Sequence, residues 1–221
     1  MATSGVITGT MTAGEVIAAA CDMIGLRQLG DQIDGNEAAV CLRHLTWMLK
    51  TWQVDLPAHG WRSVEVSWTH PAATASVTLS PKYMNVISAR RRVSGIDTPL
   101  WPLSVDEYNE RPNKSQAGTP TSYMVRKTLA SLSVSVWPVP ATDTTIYAEA
   151  ARVIEDVTSL TQTLDVPQEW LETIYTCLAA RIAAPLQVAI SADIQQQALN
   201  LYDRLKTFDG EGASIIMTAS V

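Results

Sequence analysis

Cysteine is scarce in this 221-residue chain: there are three, Cys21, Cys41 and Cys177. An odd number, far apart and all on predicted helices, makes no disulfide framework. They read as reduced, buried small hydrophobes of an intracellular protein. Histidine is as rare, with only His44, His59 and His70. There is no H-E-x-x-H and no C-x-x-C, so no metal site is expected. No G-x-S-x-G elbow, P-loop or G-x-G-x-x-G occurs, and no cofactor is expected. AGTPTS at 117–122 lacks the lysine and following helix of a phosphate loop and reads as a turn. Basic residues are outnumbered, 16 against 22 acidic, for a net charge of −6, which argues against a general nucleic-acid binder. No run approaches the ~18 apolar residues of a membrane span. The start, MATSGVITGT, lacks the basic and apolar regions of a signal peptide. No membrane partner is expected.

Size and apolar content point to a globular protein. A chain this long buries about 70% of its unfolded surface and requires no disulfide or metal staple. Apolar residues make up 47% and charged residues only 17%, and that charge-poor composition hints at surface covered by oligomerisation.

Helical signals lie at both ends. Thr12 and Glu15 form a T-x-x-E capping box, followed by Val16, Ile17, Ala20 and Ile24 at helical spacing and a stop at Gly25. A second box, Asp34 to Glu37, opens a helix whose stripe is Ala38, Cys41, Leu42, Leu45, Met48, Leu49 and Trp52. His44 sits beside that stripe and reads as a packing or interface residue. A third long helix follows Pro167, with Trp170, Leu171, Ile174, Leu178 and Ile182 along one side, and is limited by Pro185. A fourth, over about 191–207, carries Ile194, Ala198, Leu201 and Leu205.

Between residues 62 and 155 the texture is different. VEVSW, SVTLS, SLSVSVW and TTIYAEAARVI alternate with period two, NVISARRRV is a less regular strand candidate, and prolines and glycines punctuate throughout. Ser104 and Glu107 make a third capping box for a short helix. The expected fold is therefore α+β. A four-helix bundle is built from the N- and C-terminal helix pairs (1–61 and 156–207), with an inserted antiparallel β-rich domain (62–155) and a flexible tail (208–221). No internal repeat is present.

Catalytic candidates dissolve on inspection. Glu169 and Glu172 lie on the first turn of a helix, where carboxylates complement the helix dipole, and no catalytic residues are assigned. Arg90, Arg91 and Arg92 form the one basic cluster, but on a strand alternate members face opposite sides. Ion pairing with an acidic neighbour is expected of them, ahead of a phosphate-contacting role. Seven tryptophans are the unusual element. Trp47 and Trp52 stand about 140° apart on one helix and cannot both face the same core. Trp47, Arg181 and Arg90 to Arg92 are the subunit-interface candidates. Phe208, Ile215, Ile216 and Met217 are candidates for docking a partner.

Several segments in fixed order carry a family resemblance. These are TAGEVIAAACDMIGL, EAAVCLRHLTWMLKTWQ, ISARRRVSGIDTPLWPLSVDEYNERPNKSQAGTPTSYMV, VWPVP and VPQEWLETIYTCLAARIAAP. Within them Ala89, Asp97, Pro99-Leu100, Glu107-Tyr108, Lys114, Gly118 and Pro120 match recurring family positions. Over roughly residues 12–205 the chain resembles the head-to-tail adaptor (head-completion, tail tubular protein A-like) proteins of short-tailed bacteriophages. The resemblance implies a structural, non-enzymatic virion protein at the head-tail junction, made in the host cytoplasm. It implies a ring of twelve copies that docks beneath the portal protein, extends the DNA channel and provides the platform for a tail nozzle or tail fibre protein. Twelve copies would carry a formal charge of about −72, a field that lets genomic DNA pass without specific binding.

Two other classes stand beside it. Tryptophans and carboxylates also suit a glycan-binding or glycan-hydrolysing tail-associated module, which needs two carboxylates facing across a cleft. DNA binding through Arg90 to Arg92 would show a steep salt dependence.

Overall fold

The computed structural model describes residues 9–26, 31–55, 60–129 and 131–208. The chain divides into two units: a helical one drawn from Met1–Gly60 and Ile154–Val221, and a β-rich one, Trp61–Val153. The fold is mixed α+β.

In the helical unit, α1 (Ala13–Met23) begins at the complete capping box of Thr12 and Glu15. It ends where Gly25 turns at φ +67°, while the Leu26 N–H donates to the Cys21 carbonyl. Only glycine adopts that left-handed geometry without strain. Helix α2 (Gly35–Asp55) is capped from Asp34, whose Oδ2 accepts the Asn36 N–H at 2.9 Å. Its expected stripe is buried except for half-buried Leu42, and Trp47 points away, 52% exposed. After Pro167 a single 3-10 turn leads into α4 (Leu171–Ile182), and α5 (Ala192–Phe208) follows.

Helix α4 is the hub, packing on α1, α2 and α5. Being surrounded, it is buried on more than one stripe. Thr173 and Thr176 are buried together with Ile174 and Leu178. The helices thus gather around one central member, a less regular arrangement than the expected bundle of two pairs.

The β-rich unit contains a seven-stranded sheet in the order β1-β9-β3-β4-β6-β7-β2. Its strands are β1 (Ser63–His70), β2 (Ser76–Leu79), β3 (Tyr83–Val93), β4 (Ile96–Leu103), β6 (Ser122–Lys127), β7 (Leu132–Trp137) and β9 (Thr144–Arg152). A small pair, β5 (Ala117–Gly118) with β8 (Val139–Pro140), lies apart from it. Strands β1 and β2 are opposite edges, yet only residues 71–75 join them. Six Cα steps reach at most about 21 Å, whereas seven flat strands span about 29 Å, so the sheet has to curl. The curl encloses one core, with Leu79, Val86, Ala89, Leu100, Tyr123, Val134, Val136 and Ile146 drawn from both halves and Val66 and Trp68 packed against it.

The expectation of a purely antiparallel insertion needs correcting. Strand β4 is antiparallel to β3 but parallel to β6. A parallel return requires a crossover, supplied here by α3 (Val105–Asn109) and the loop after it. Neither β4 nor β6 is evident in the sequence; in β4, Pro99 and Pro102 read as strand breakers. The structure shows why they are tolerated. Strand β3 pairs only residues 96–100 of β4, and β6 only 101–103. The Trp101 N–H points to the β6 side, donating to Thr121. Backbone direction alternates, so Pro99 faces that side below the point where β6 begins, and Pro102 faces the β3 side beyond its end. Each missing N–H falls where no acceptor waits.

Candidate interaction surfaces

The arginine triplet is split by the strand. Arg90 and Arg92 stand on one face of β3, where both pair with Asp97 across the hairpin and Arg90 also pairs with Glu65 of β1. Arg92 lies 4.0 Å from the Tyr147 ring centre. The hydrogen bonds from Arg92, with its charge and that of Arg90, hold the Asp97 carboxyl down at about 2 despite some opposing desolvation. Arg91 faces the other way, opposite Ile146 and Thr98 in register, and takes no part in this network. Two of the three are therefore neutralised locally, and the triplet presents no shared basic face.

The β unit's tryptophans are mostly anchors. The Trp68 indole donates to Nδ1 of buried His70 at 3.4 Å, and the other ring nitrogen faces the Thr74 carbonyl at 3.0 Å. Nδ1 is then an acceptor, so Nε2 carries the proton and donates to Thr74. Burial pushes the His70 pKa below its usual value, the Thr74 bond opposing it. The Trp137 indole donates to the Asn113 carbonyl and lies beneath Arg111. Trp101 alone stands 71% exposed, on the outer side of β4.

In the helical unit the interface candidates Trp47 and Arg181 both neighbour His44. His44 meets Trp47 edge-on at 5.6 Å, and the Arg43 guanidinium lies 5.7 Å from the Trp47 ring centre. Burial, then the charges of Arg181 and Arg43, lower the His44 pKa. Neither arginine has a carboxylate partner among the described residues. Beside them Met48, Trp52, Cys177, Ala180, Arg181, Leu199 and Tyr202 line an open groove of about 470 Å³ between α2, α4 and α5. Leu199 is 60% exposed and Val54, on the Trp47 side of α2, 73%. Arg43, Val54 and Leu199 were not singled out from sequence. Only the helical phase of Arg43 and Val54, one turn before and two turns after Trp47, pointed to them.

A hollow of opposite character lies between Glu155 and Asp165. It is lined by Glu155, Asp156, Val157, Thr161, Gln162, Thr163 and Asp165. Its backbone is firmly held: Gln162 Oε1 accepts from the Thr158 and Ser159 N–H groups, and Asp165 from that of Glu155. No aromatic ring lines it, so it offers no stacking platform for a sugar.

Charge is segregated by unit. Residues 1–60 and 154–221 carry six Lys and Arg against 15 Asp and Glu, a net of −9, while 61–153 carry ten against seven, a net of +3. Of the cysteines, Cys21 and Cys41 are fully buried, and their mutual hydrogen bond, ahead of burial, raises the Cys41 pKa. Cys177 is half-buried, its pKa pushed up to about 11 by burial. Among the described residues no cluster could hold a metal ion, and no helix is long and apolar enough to cross a membrane. Ile215, Ile216, Met217 and His59 lie outside the described residues, as does the side chain of Phe208, whose backbone ends α5.

Among curated proteins no match is found. Solved structures similar to the chain include the neck of an empty GTA particle computed with C6 symmetry: 17% identity, covering 93% of this chain and 97% of that one, TM-score 0.27. The neck of a native GTA particle computed with C12 symmetry matches at 15% identity, 94% and 99% coverage, TM-score 0.26. The virion of a native gene transfer agent particle matches at 15%, 94% and 96% coverage, TM-score 0.30. Scores this low do not establish a shared fold. The family model described as SU10 adaptor protein matches residues 11–215, nearly the whole chain, and the protein belongs to that family.

Proposed function

We propose that this chain is a structural head-to-tail adaptor of a phage-like particle, without enzymatic activity. The reading rests on the family match over residues 11–215. In it, copies form a ring, a dodecamer, that docks beneath the portal protein, extends the DNA channel and provides the platform for the tail nozzle or tail fibre protein. Exposed Trp47, Arg43 and Arg181 of the helical unit suit a subunit covered on several sides, since Trp, Tyr, Met and Arg are enriched at interfaces. The acidic balance suits a conduit that does not grip its DNA. The apolar run Ile215, Ile216 and Met217, after the glycines at 210 and 212, supplies a docking segment.

Imaging of the assembled particle tests this directly and is expected to show the chain as a collar between head and tail. Sedimentation with purified portal protein is expected to give a stoichiometric ring; separate sedimentation of the two would sink the portal-docking role. Deletion of 209–221 is expected to abolish portal or tail binding, and full binding by the truncated chain would remove the tail segment from the account.

A further inference from the structure

Helices α2, α4 and α5 leave an apolar groove open along α5. Met48 and Trp52 of α2, Cys177 of α4, and Leu199 and Tyr202 of α5 line it. The lining is fixed in place: the Cys177 thiol donates to the Ala198 carbonyl at 3.5 Å, and Trp52 meets both Trp170 and Tyr202. Yet Leu199 stands 60% exposed, so the apolar surface is built and left uncovered. The polar groups at its margin, Gln195 and Arg181, are exposed hydrogen-bond donors. Arg181 has no carboxylate partner among the described residues.

We propose that this groove is the seat of the chain's own C-terminal segment, Ile215, Ile216 and Met217, which folds back over it in the unassembled protein. Reach selects that occupant. Helix α5 ends at Phe208, and Tyr202 and Leu199 lie about 9 Å and 14 Å back along it. A reversal at Gly210 and Gly212, residues free to take either sign of φ, turns the chain towards them. Counted from Gly212, extended chain then places Ile215 about 10 Å back and Met217 about 17 Å back, which brackets Leu199. Tethering favours the same answer. Only residues 209–214 separate α5 from Ile215, and so short a link gives an effective concentration of about millimolar, above that of a second copy in dilute solution. The chemistry matches as well. Residues 212–217 carry no charged side chain, so their burial strands no ion, and their backbone carbonyls are acceptors for Gln195 and Arg181 at the margin. In the adaptor reading these three residues dock a partner, so the contact keeps them covered until that partner displaces them. Only this displacement rests on the adaptor reading; the contact within one chain does not.

Cys177 lines the groove and reports whether it is covered. The test labels the native full-length chain with an aromatic disulfide reagent at pH 8, beside the double variant Ile215→Asp with Ile216→Asp. Circular dichroism establishes that both are folded. The variant is expected to react at Cys177 at least fivefold faster than wild type. The wild-type rate constant is expected to stay unchanged on hundredfold dilution of the protein, as a contact within one chain requires. A synthetic peptide of residues 209–221, added to the variant at millimolar concentration, is expected to restore the slow rate. Equal rates in the two chains, or a peptide without effect, would overturn the proposal. A wild-type rate that rises on dilution would overturn it too, by placing the tail of a second copy in the groove. Each of these outcomes leaves the adaptor reading standing, since that reading is tested separately by imaging the particle and by sedimentation with the portal protein.

Discussion

Trp52 and Trp170 meet edge to face, with ring centres 6.3 Å apart and planes at 66°. One belongs to the N-terminal part of the helical unit and the other to the C-terminal part, and both are buried. Tyr202 of α5 also meets Trp52, with ring centres 5.2 Å apart and planes tilted by 36°. Three aromatic rings thus join α2, the start of α4 and α5, and such pairs add about 0.5–1.5 kcal/mol each beyond the area they bury.

Replacing Trp170 with alanine should therefore be costly. A fully buried tryptophan lost to alanine removes about 3–5 kcal/mol. Trp47→Ala, on the exposed side of the same unit, is expected to change stability by less than about 0.5 kcal/mol. Urea denaturation of the two variants checks the contrast; equal losses would show that Trp47 is packed.

Stability should also fall with acid through His70. Its folded pKa lies below the unfolded value of 6.5, so the folded state binds fewer protons and folding is favoured above pH 6.5. That contribution shrinks as pH drops below 6.5 towards the lowered pKa, because the charged ring would have to be held in a buried site, where a second ring proton also meets the Trp68 indole N–H. Melting temperature measured from pH 7.5 to 5 is expected to decline. A His70→Gln variant, less stable throughout, should show a flatter profile over that range.

At Gly25 the backbone sets the cost of substitution. A Cβ there meets no atom within 4 Å, but φ is +67°. Gly25→Ala is expected to lose about 1–2 kcal/mol from left-handed strain alone. Gly118→Ala is the converse case: its φ is unremarkable, but the new Cβ would stand 3.1 Å from Pro138 Cβ. Thermal melts of the pair separate the two causes, and an unaltered Gly25→Ala melt would contradict the first.

Thiol labelling gives a further check. Cys21 and Cys41 are fully buried, whereas Cys177 is half-buried with a pKa near 11. In the native protein an aromatic disulfide reagent at pH 8 should react slowly with Cys177 and not with the other two. In denaturant all three should react quickly. Rapid native labelling of Cys41 would mean that the contact between α1 and α2 opens.

Local chemistry was legible in the sequence wherever it was complete within a few residues. The capping boxes at Thr12 and Ser104 form as read, because both partners lie within one turn. The stripe of α2 is buried for the same reason, and Trp47 is left outside by its phase on the helix. The splitting of Arg90 to Arg92 followed from the two-residue period of a strand, and Arg90 and Arg92 have the acidic partners expected, Asp97 and Glu65, while Arg91 faces the other way. Strand β4 was not legible, nor was β6, and for β4 the obstacle was its two prolines. A proline excludes a strand only where its missing N–H faces a partner, and that is settled by where the neighbouring strands begin and end.

The sequence by itself therefore determined the helices, the alternating strands, the reduced cysteines and the acidic balance, all properties of neighbouring residues. Tertiary structure alone decided that α4 is the central helix and that the sheet curls, through a five-residue link between its two edges. It also decided that Arg43 and Arg181, 138 positions apart in the sequence, flank one histidine. The physical reason is the same each time: burial and charge pairing act over ångströms in space, and periodicity along the chain does not record which faces will meet.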